Sequence, residues 1–258
     1  MTTFDAGYGS SPFRELCEGA PDSSVYPEAR FRVEWGPIFH RGRLDGTARV
    51  LVIGQDPAAH EAVARRILCG FAGHRVQGFL AKLGIDRSYV MINSFLYSLY
   101  GTAAPTHTAD QLADRYDWID AVLTTAPIEV VVTFGGVAKK VWAHYLADRS
   151  PASPPPQVAA LHPTAHNPDA ELLANWNAAL DGAEPHVDHP DHAEPLVHYG
   201  TKWADSDLAE IPSFDMPAGL PAWTTGADVW AQRGDDPVAA PTASRITITI
   251  PESDRIDR

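Results

Sequence analysis

The sequence predicts an α/β protein: a three-layer α/β/α sandwich around a mostly parallel four-stranded sheet, followed by a C-terminal extension. Three observations carry this. Short, continuous apolar runs recur at four places, helical patterns separate them, and each run ends in residues suited to the loop at a strand's carboxyl end.

The first run, Val50 to Ile53, stops at Gly54 and reads as a buried parallel strand feeding a loop. Tyr89-Val90-Met91-Ile92, Val130 to Phe134 and Val158 to Leu161 repeat the pattern. Helical periodicity over Val76 to Leu83, Ala109 to Leu123 and Val137 to Leu146 fills the gaps, and Asp169 to Leu180 follows the last strand. In such a sheet the ligand site collects at the carboxyl ends of the strands. Those ends carry Gln55-Asp56, Asn93, Gly135-Gly136 and His162. Ser150 to Pro156 holds four prolines and reads as a stiff surface connection.

After about residue 181 the character changes, so residues 1–180 are read as one domain and 181–258 as an acidic extension rich in Pro and His. His186, His189, His192 and His198 sit among turn-like residues with no helix or strand to hold the imidazoles. A solvated linker is therefore favoured over a metal site. Trp203, Trp223 and Trp230 are unusual in a polar linker and imply that parts of the extension pack on the core, and Ile246 to Ile250 alternates like an edge strand.

The formal net charge of −13 argues against a chain that grips phosphates, yet its distribution is uneven. Residues 1–180 carry net −3 and residues 181–258 net −10. Ten Arg or Lys fall within residues 30–87 against five acids, which fits either a local basic face or scattered solvated arginines. Two cysteines, Cys17 and Cys69, build neither a disulfide framework nor a four-cysteine metal or iron-sulfur site. No apolar run approaches the about 20 residues that span a bilayer, and Met1 to Asp5 has no signal-peptide character, so a soluble, cytoplasmic protein is expected.

Three segments converge at the strand ends: Gly54-Gln55-Asp56-Pro57, Met91-Ile92-Asn93-Ser94 and Leu161-His162-Pro163-Thr164-Ala165-His166-Asn167. They supply a carboxylate, a carboxamide and an imidazole. Cleaving a bond between a sugar C1′ and a pyrimidine N1 needs these groups. Asp56 can orient a water and stabilise an oxocarbenium-like sugar. His162 can donate a hydrogen bond to the base O2 as negative charge collects there. Asn93 can read the edge of a flipped pyrimidine. Singly, each has a structural reading: Asp56 capping a turn, His162 satisfied at a strand end, Asn93 capping loop backbone. Their convergence is what favours chemistry.

In this order and at these strand ends, the segments resemble the uracil-DNA glycosylase superfamily over roughly residues 45 to 180. Gly54-Gln55-Asp56-Pro57 is similar to the water-activating motif of that family's best-studied branch, His162-Pro163-Thr164 to its second motif, and Asn93 falls on its base-reading Asn. Arg66 to Gly73 resembles the Pro-Phe-Val-Gly-x-Ala-Gly run of the iron-sulfur branch. The resemblance implies a uracil-DNA glycosylase-like fold, DNA as partner, and a base pocket containing Gln55. It also implies Leu68, or Phe71 nearby, where the family stacks the base on a Phe. Gly54, Pro163, Thr164, His166 and Asn167 would contact DNA, with His166 in the place of the wedge that fills the gap left by the flipped base. A monomer needing neither cofactor nor metal is expected.

Departures from the family bear on the substrate. Where the Gln-Asp-Pro branch has a Tyr that blocks pyrimidine C5, this chain has Ala58, and Ala58-Ala59-His60 resembles a branch of broader base tolerance that lacks the aspartate. An open C5 side points to thymine, 5-hydroxymethyl bases, or the glucosylated hydroxymethylcytosine of phage DNA, which would make the protein a defence enzyme. Plain uracil and base-excision repair are the alternative. A rival of another class is a non-catalytic DNA-binding relative, or a nucleotide-binding domain using Gly135-Gly136. The lack of Gly-x-Gly-x-x-Gly and of a Walker lysine argues against the latter. No lysine neighbours the motifs, which favours a monofunctional enzyme; Lys139 and Lys140 stay open.

Overall fold

A computed structural model describes residues 7–101, 104–193, 195–226, 229–233 and 246–250. In it the four apolar runs form β2 (Val50–Gly54), β3 (Tyr89–Asn93), β4 (Val130–Phe134) and β5 (Gln157–Ala160), paired in parallel. The expected four-stranded sheet has a fifth member. β1 (His40–Gly42) adds antiparallel to β3 at one edge, giving the order β1-β3-β2-β4-β5. Its three residues, His-Arg-Gly, are short and polar, so no apolar run announces them; all three are nevertheless buried.

Both sheet faces are covered, which is why the strands read as unbroken apolar runs rather than alternating ones. Leu51, Ile53, Val90, Ile92 and Val131 face one way, onto α1 (Phe13–Glu18), α4 (Ala109–Thr125) and α5 (Gly136–Arg149), where Phe13, Trp118, Ile119, Trp142 and Tyr145 are buried. Val50, Val52, Met91, Val130 and Val132 face the other way, onto α3 (Phe71–Lys82) and α6 (Asp169–Ala183), meeting Phe79, Leu80, Leu173 and Trp176. A short α2 (Ala59–Ala64) follows β2. The helix expected from Val76 begins five residues earlier, at Phe71; Gly73 and Gly78 inside it weaken its propensity and mask its start. Thr108 and Gln111 form the reciprocal cap that starts α4 where the sequence places it.

The extension lies against the core along much of its described length. Asp191 accepts backbone N–H bonds from Asp86, Arg87 and Ser88, Trp203 packs edge-on against Trp176, and Lys82 pairs with Asp207 at 3.0 Å. Asp215, fully buried, takes Arg41 at 3.0 Å, Arg43 at 2.5 Å and the Tyr89 hydroxyl. The basic cluster of residues 30–87 is thus partly spent inside the protein, on acids of the extension. Arg32, Arg41 and Arg66 are buried.

His189, His192 and His198 pair with the carboxylates of Glu129, Asp86 and Asp181 respectively. Among the described residues no group of three or more His, Cys, Asp or Glu is placed to hold a metal. Ile246–Ile248 does form a strand, β7, paired with β6 (Ala231–Arg233) in a separate two-stranded ribbon rather than at the edge of the main sheet. No helix among the described residues is long and apolar enough to cross a membrane.

Candidate active site

A cleft of about 460 Å³ opens at the carboxyl ends of β2 and β5, within the 300–1,000 Å³ usual for ligand pockets. It is lined by Gln55, Asp56 and Ala58 after β2, Leu68 and Phe71 from the α2–α3 region, and His162, Thr164 and His166 after β5.

Asp56 leaves β2 on a loop that folds its carboxylate against the Ser98–Leu99 segment, where Leu99 bridges antiparallel to Phe31. The Leu99 N–H donates to Oδ2 at 2.9 Å and the Gln55 amide donates to Oδ1 at 3.1 Å. Burial pushes the Asp56 carboxyl above the usual carboxylate range. The Leu99 N–H, the Arg233 guanidinium and the Gln55 amide oppose that rise, and the Glu61 carboxylate adds to it.

His162 follows β5. The Thr164 backbone N–H donates to its Nδ1 at 3.3 Å, and the Thr164 hydroxyl lies 3.1 Å from the same atom. A backbone N–H can only donate, so Nδ1 is the acceptor and the ring proton sits on Nε2. Burial lowers the pKa of His162, which keeps the ring neutral at pH 7. The turn after β4 supports it: Gly135 has φ +92° and so little room that an added Cβ would lie 3.3 Å from the His162 Cβ.

The loop from α2 to α3 forms the floor. Glu61 accepts from the backbone of Ala58 at 2.9 Å, Cys69 at 3.0 Å and Gly70 at 3.3 Å, so one buried carboxylate ties the start of α2 to the end of this loop. Leu68 is held in a left-handed conformation, φ +51°, which is costly for a residue with a side chain and marks a constrained site. Phe71, 38% exposed, stands at the rim with the Arg75 guanidinium 4.4 Å from its ring centre. Arg75 also stacks on Trp203 and donates to the Pro163 carbonyl, which links the rim to the loop after His162.

The arrangement of these strand ends agrees with the sequence comparison. The family described as the Uracil DNA glycosylase superfamily matches residues 41–180, more than half of the chain. The chain belongs to the uracil-DNA glycosylase superfamily. No curated protein matches it. The superfamily is one of DNA glycosylases, hydrolases that act on DNA, and its α/β fold is the one seen here.

Within this superfamily frame, the cleft gathers Gln55, Asp56, Ala58, Leu68, Phe71, His162, Thr164 and His166, and leaves four of the expected site residues off its surface. Gly54 is buried, and an added Cβ there would lie 2.3 Å from Asn93 Oδ1, so this position needs glycine for close approach. Asn93 is 2% exposed, and its Oδ1 has no hydrogen-bond partner among the described residues. Pro163 is buried, and Asn167 is exposed beside Glu171. Gln55 spends its amide on Asp56.

Sequence reasoning missed His60, Glu61, Gly70, Val229 and Arg233, which also line the cleft. Glu61 had a signal: it stands three residues after Ala58 at a helix start, where Glu commonly folds back to the first backbone N–H. Val229 and Arg233 had none, since they come from the distant extension. They are brought in by Trp230, which sits edge-on to His60 at 4.7 Å, and by the Ala231 N–H, which donates to His60 Nε2 at 3.3 Å.

Proposed function

We propose that the protein is a monofunctional DNA glycosylase that flips out a pyrimidine and hydrolyses its N-glycosidic bond, leaving an abasic site, with a pocket open to substituents at C5. Residues 1–180 form the glycosylase domain in this reading, and the extension from 181 supplies part of its wall. The observation that carries it is the pairing, across one cleft, of a carboxylate held by Leu99 and Gln55 with a neutral His162 whose only proton is on Nε2.

The chemistry follows from those two states. Asp56 orients a water and stabilises the positive charge that develops on the sugar as the C1′–N1 bond breaks. The His162 Nε2–H donates to the base O2, where the departing electron pair delocalises. Water oxygen bonds to C1′, its proton passes to the Asp56 carboxylate, and the base leaves as an anion that solvent protonates. Asn93 lies beneath the cleft surface beside Gly54, so in this reading the base enters more deeply than the cleft as it stands; its unpartnered Oδ1 then suits the N3–H of uracil or thymine, and a rotated carboxamide suits cytosine. A buried acceptor left unpaired costs on the order of 1–3 kcal/mol, which a bound base would recover.

Ala58 at the cleft wall favours a C5-substituted base: thymine, a 5-hydroxymethyl pyrimidine, or glucosylated hydroxymethylcytosine of phage DNA, the last implying antiviral defence. Ordinary uracil excision in repair is the second reading, favoured by the Gln55-Asp56-Pro57 motif. The test is base release from duplex oligonucleotides carrying each base, with Asp56→Asn alongside. The proposal expects abasic sites from the wild type and a loss of about 100-fold or more in Asp56→Asn with DNA binding kept. Binding without any abasic product would identify a non-catalytic relative, and release of uracil alone would remove the C5 claim.

A further inference from the structure

We propose that Arg233, delivered by the C-terminal extension, is a positioning residue for Asp56: it braces the Ser98–Leu99 segment that holds the carboxylate and stands as its counter-charge. The inference rests on the reading of Asp56 as the water-orienting group. It concerns a residue far outside the family-matched segment, residues 41–180.

The geometry is local and specific. Arg233 lines the same cleft as Asp56. Its Nη1 donates to the Leu99 carbonyl at 3.4 Å and its Nη2 to the Ser98 hydroxyl at 3.3 Å, and the next bond in the series runs from the Leu99 N–H to Asp56 Oδ2 at 2.9 Å. Ser98 is fully buried, so this segment is part of the protein interior. Arg233 itself is fixed from behind. Trp230 and Ala231 pack with Ala59, Trp35, Val63 and Trp223, and the Ala231 N–H caps His60 on α2. The extension therefore reaches the cleft wall and places a cation there.

Two other uses of Arg233 fit less well. A phosphate-binding arginine presents its donors to solvent, whereas both Nη atoms here donate to the Ser98–Leu99 segment. A purely structural brace would not need a cation, and Arg32 already donates to the Leu99 carbonyl at 3.1 Å. Among the described residues, the charged and titratable groups around Asp56 and its cleft include Arg233 on β6, Arg32 before β1, His60 and Glu61 on α2, and His162 and His166 after β5. Burial favours protonation of Asp56, Glu61 reinforces that, and the Arg233 cation opposes it. Removing the cation must therefore carry protonation of Asp56, and with it loss of the working carboxylate, to higher pH.

The test uses the full-length protein on an oligonucleotide carrying the base it releases best, with pH profiles of kcat for wild type, Arg233→Gln, Arg233→Lys and Asp56→Asn. In Arg233→Gln the acid limb should move up by about half a pH unit or more. At the pH optimum kcat should fall about tenfold with KM little changed. Arg233→Lys keeps the charge but loses the fork, so its limb stays near wild type while kcat falls. A folded Arg233→Gln with an unmoved limb, or with a change in KM alone, overturns the inference. If Arg233→Gln does not fold, wild-type kcat in Arg233→Lys overturns it. An inactive wild type, or Asp56→Asn equal to wild type, refutes the underlying reading instead. Loss of activity in Asp56→Asn with wild-type behaviour in Arg233→Gln sinks the Arg233 claim alone.

Discussion

Asp215 and Arg41 form an ion pair at 3.0 Å with neither side chain exposed at all, joining the extension to the edge strand β1. Arg41 also donates to the Ile67 carbonyl and the Gln77 amide, each at 3.0 Å, so its charge is satisfied from three segments. The loop from Ile67 to Gly70, which forms the cleft floor, is thereby tied to the extension through one guanidinium.

Truncating Asp215 to Ala leaves Arg41 buried without a counter-charge. Removing one partner of a buried pair costs about 3–5 kcal/mol, far more than loss of a surface pair. Urea unfolding of Asp215→Ala should show a loss of that order. The exposed Arg14–Glu18 pair provides the contrast, and Glu18→Ala should change stability far less, because solvent screens the pair. A loss of similar size in both variants would contradict the central place given to Asp215.

His107 makes the fold sensitive to acid. Its ring stacks on Phe95 with centroids 3.8 Å apart, its Nε2 lies 2.9 Å from the Ser94 carbonyl, and burial pushes its pKa down to about 4. The unfolded chain takes up a proton at this residue near pH 6.5, before the folded chain does. Stability from this site is therefore complete above about pH 6.5 and is lost progressively as pH falls toward 4. His60, His74 and His162 shift in the same direction, also through burial. Unfolding free energies at pH 7.5 and 5 should differ, and His107→Gln should narrow the difference. An unchanged slope in that variant would contradict the assignment.

The sequence makes part of this legible and hides the rest for physical reasons. β2 to β5 are largely apolar because both faces of the sheet are covered, and that signal survives in a single sequence. β1 escapes because its buried arginine is neutralised by Asp215, a residue more than 170 positions away that no local pattern connects to it. The cleft divides in the same way. Asp56 and His162 sit at strand ends and can be located by pattern. Leu68 owes its place to a left-handed turn held by Glu61 and Arg41, and Arg233 owes its place to packing of Trp230 on His60. These are contacts between segments, and they carry no periodicity.

The substrate claim turns on Ala58, and a single substitution tests it. Ala58 lies between the Asp56-Pro57 turn and the first turn of α2; its N–H is held by Glu61, and its methyl group is part of the cleft wall. Its backbone is extended, φ −117° and ψ −167°, so a larger residue is accepted there without backbone strain. A Tyr at this position projects a ring into space now open in the cleft. Ala58→Tyr should lower release of C5-substituted pyrimidines by about 100-fold, since steric exclusion of the substituent outweighs any attraction the ring adds. Release of uracil, which carries only hydrogen at C5, should fall much less or rise. The measurement is kcat/KM on matched oligonucleotides, which separates exclusion of a substituent from general damage. Equal losses on uracil and on the C5-substituted base would show that Ala58 does not select at C5. The space in the cleft would then have another use.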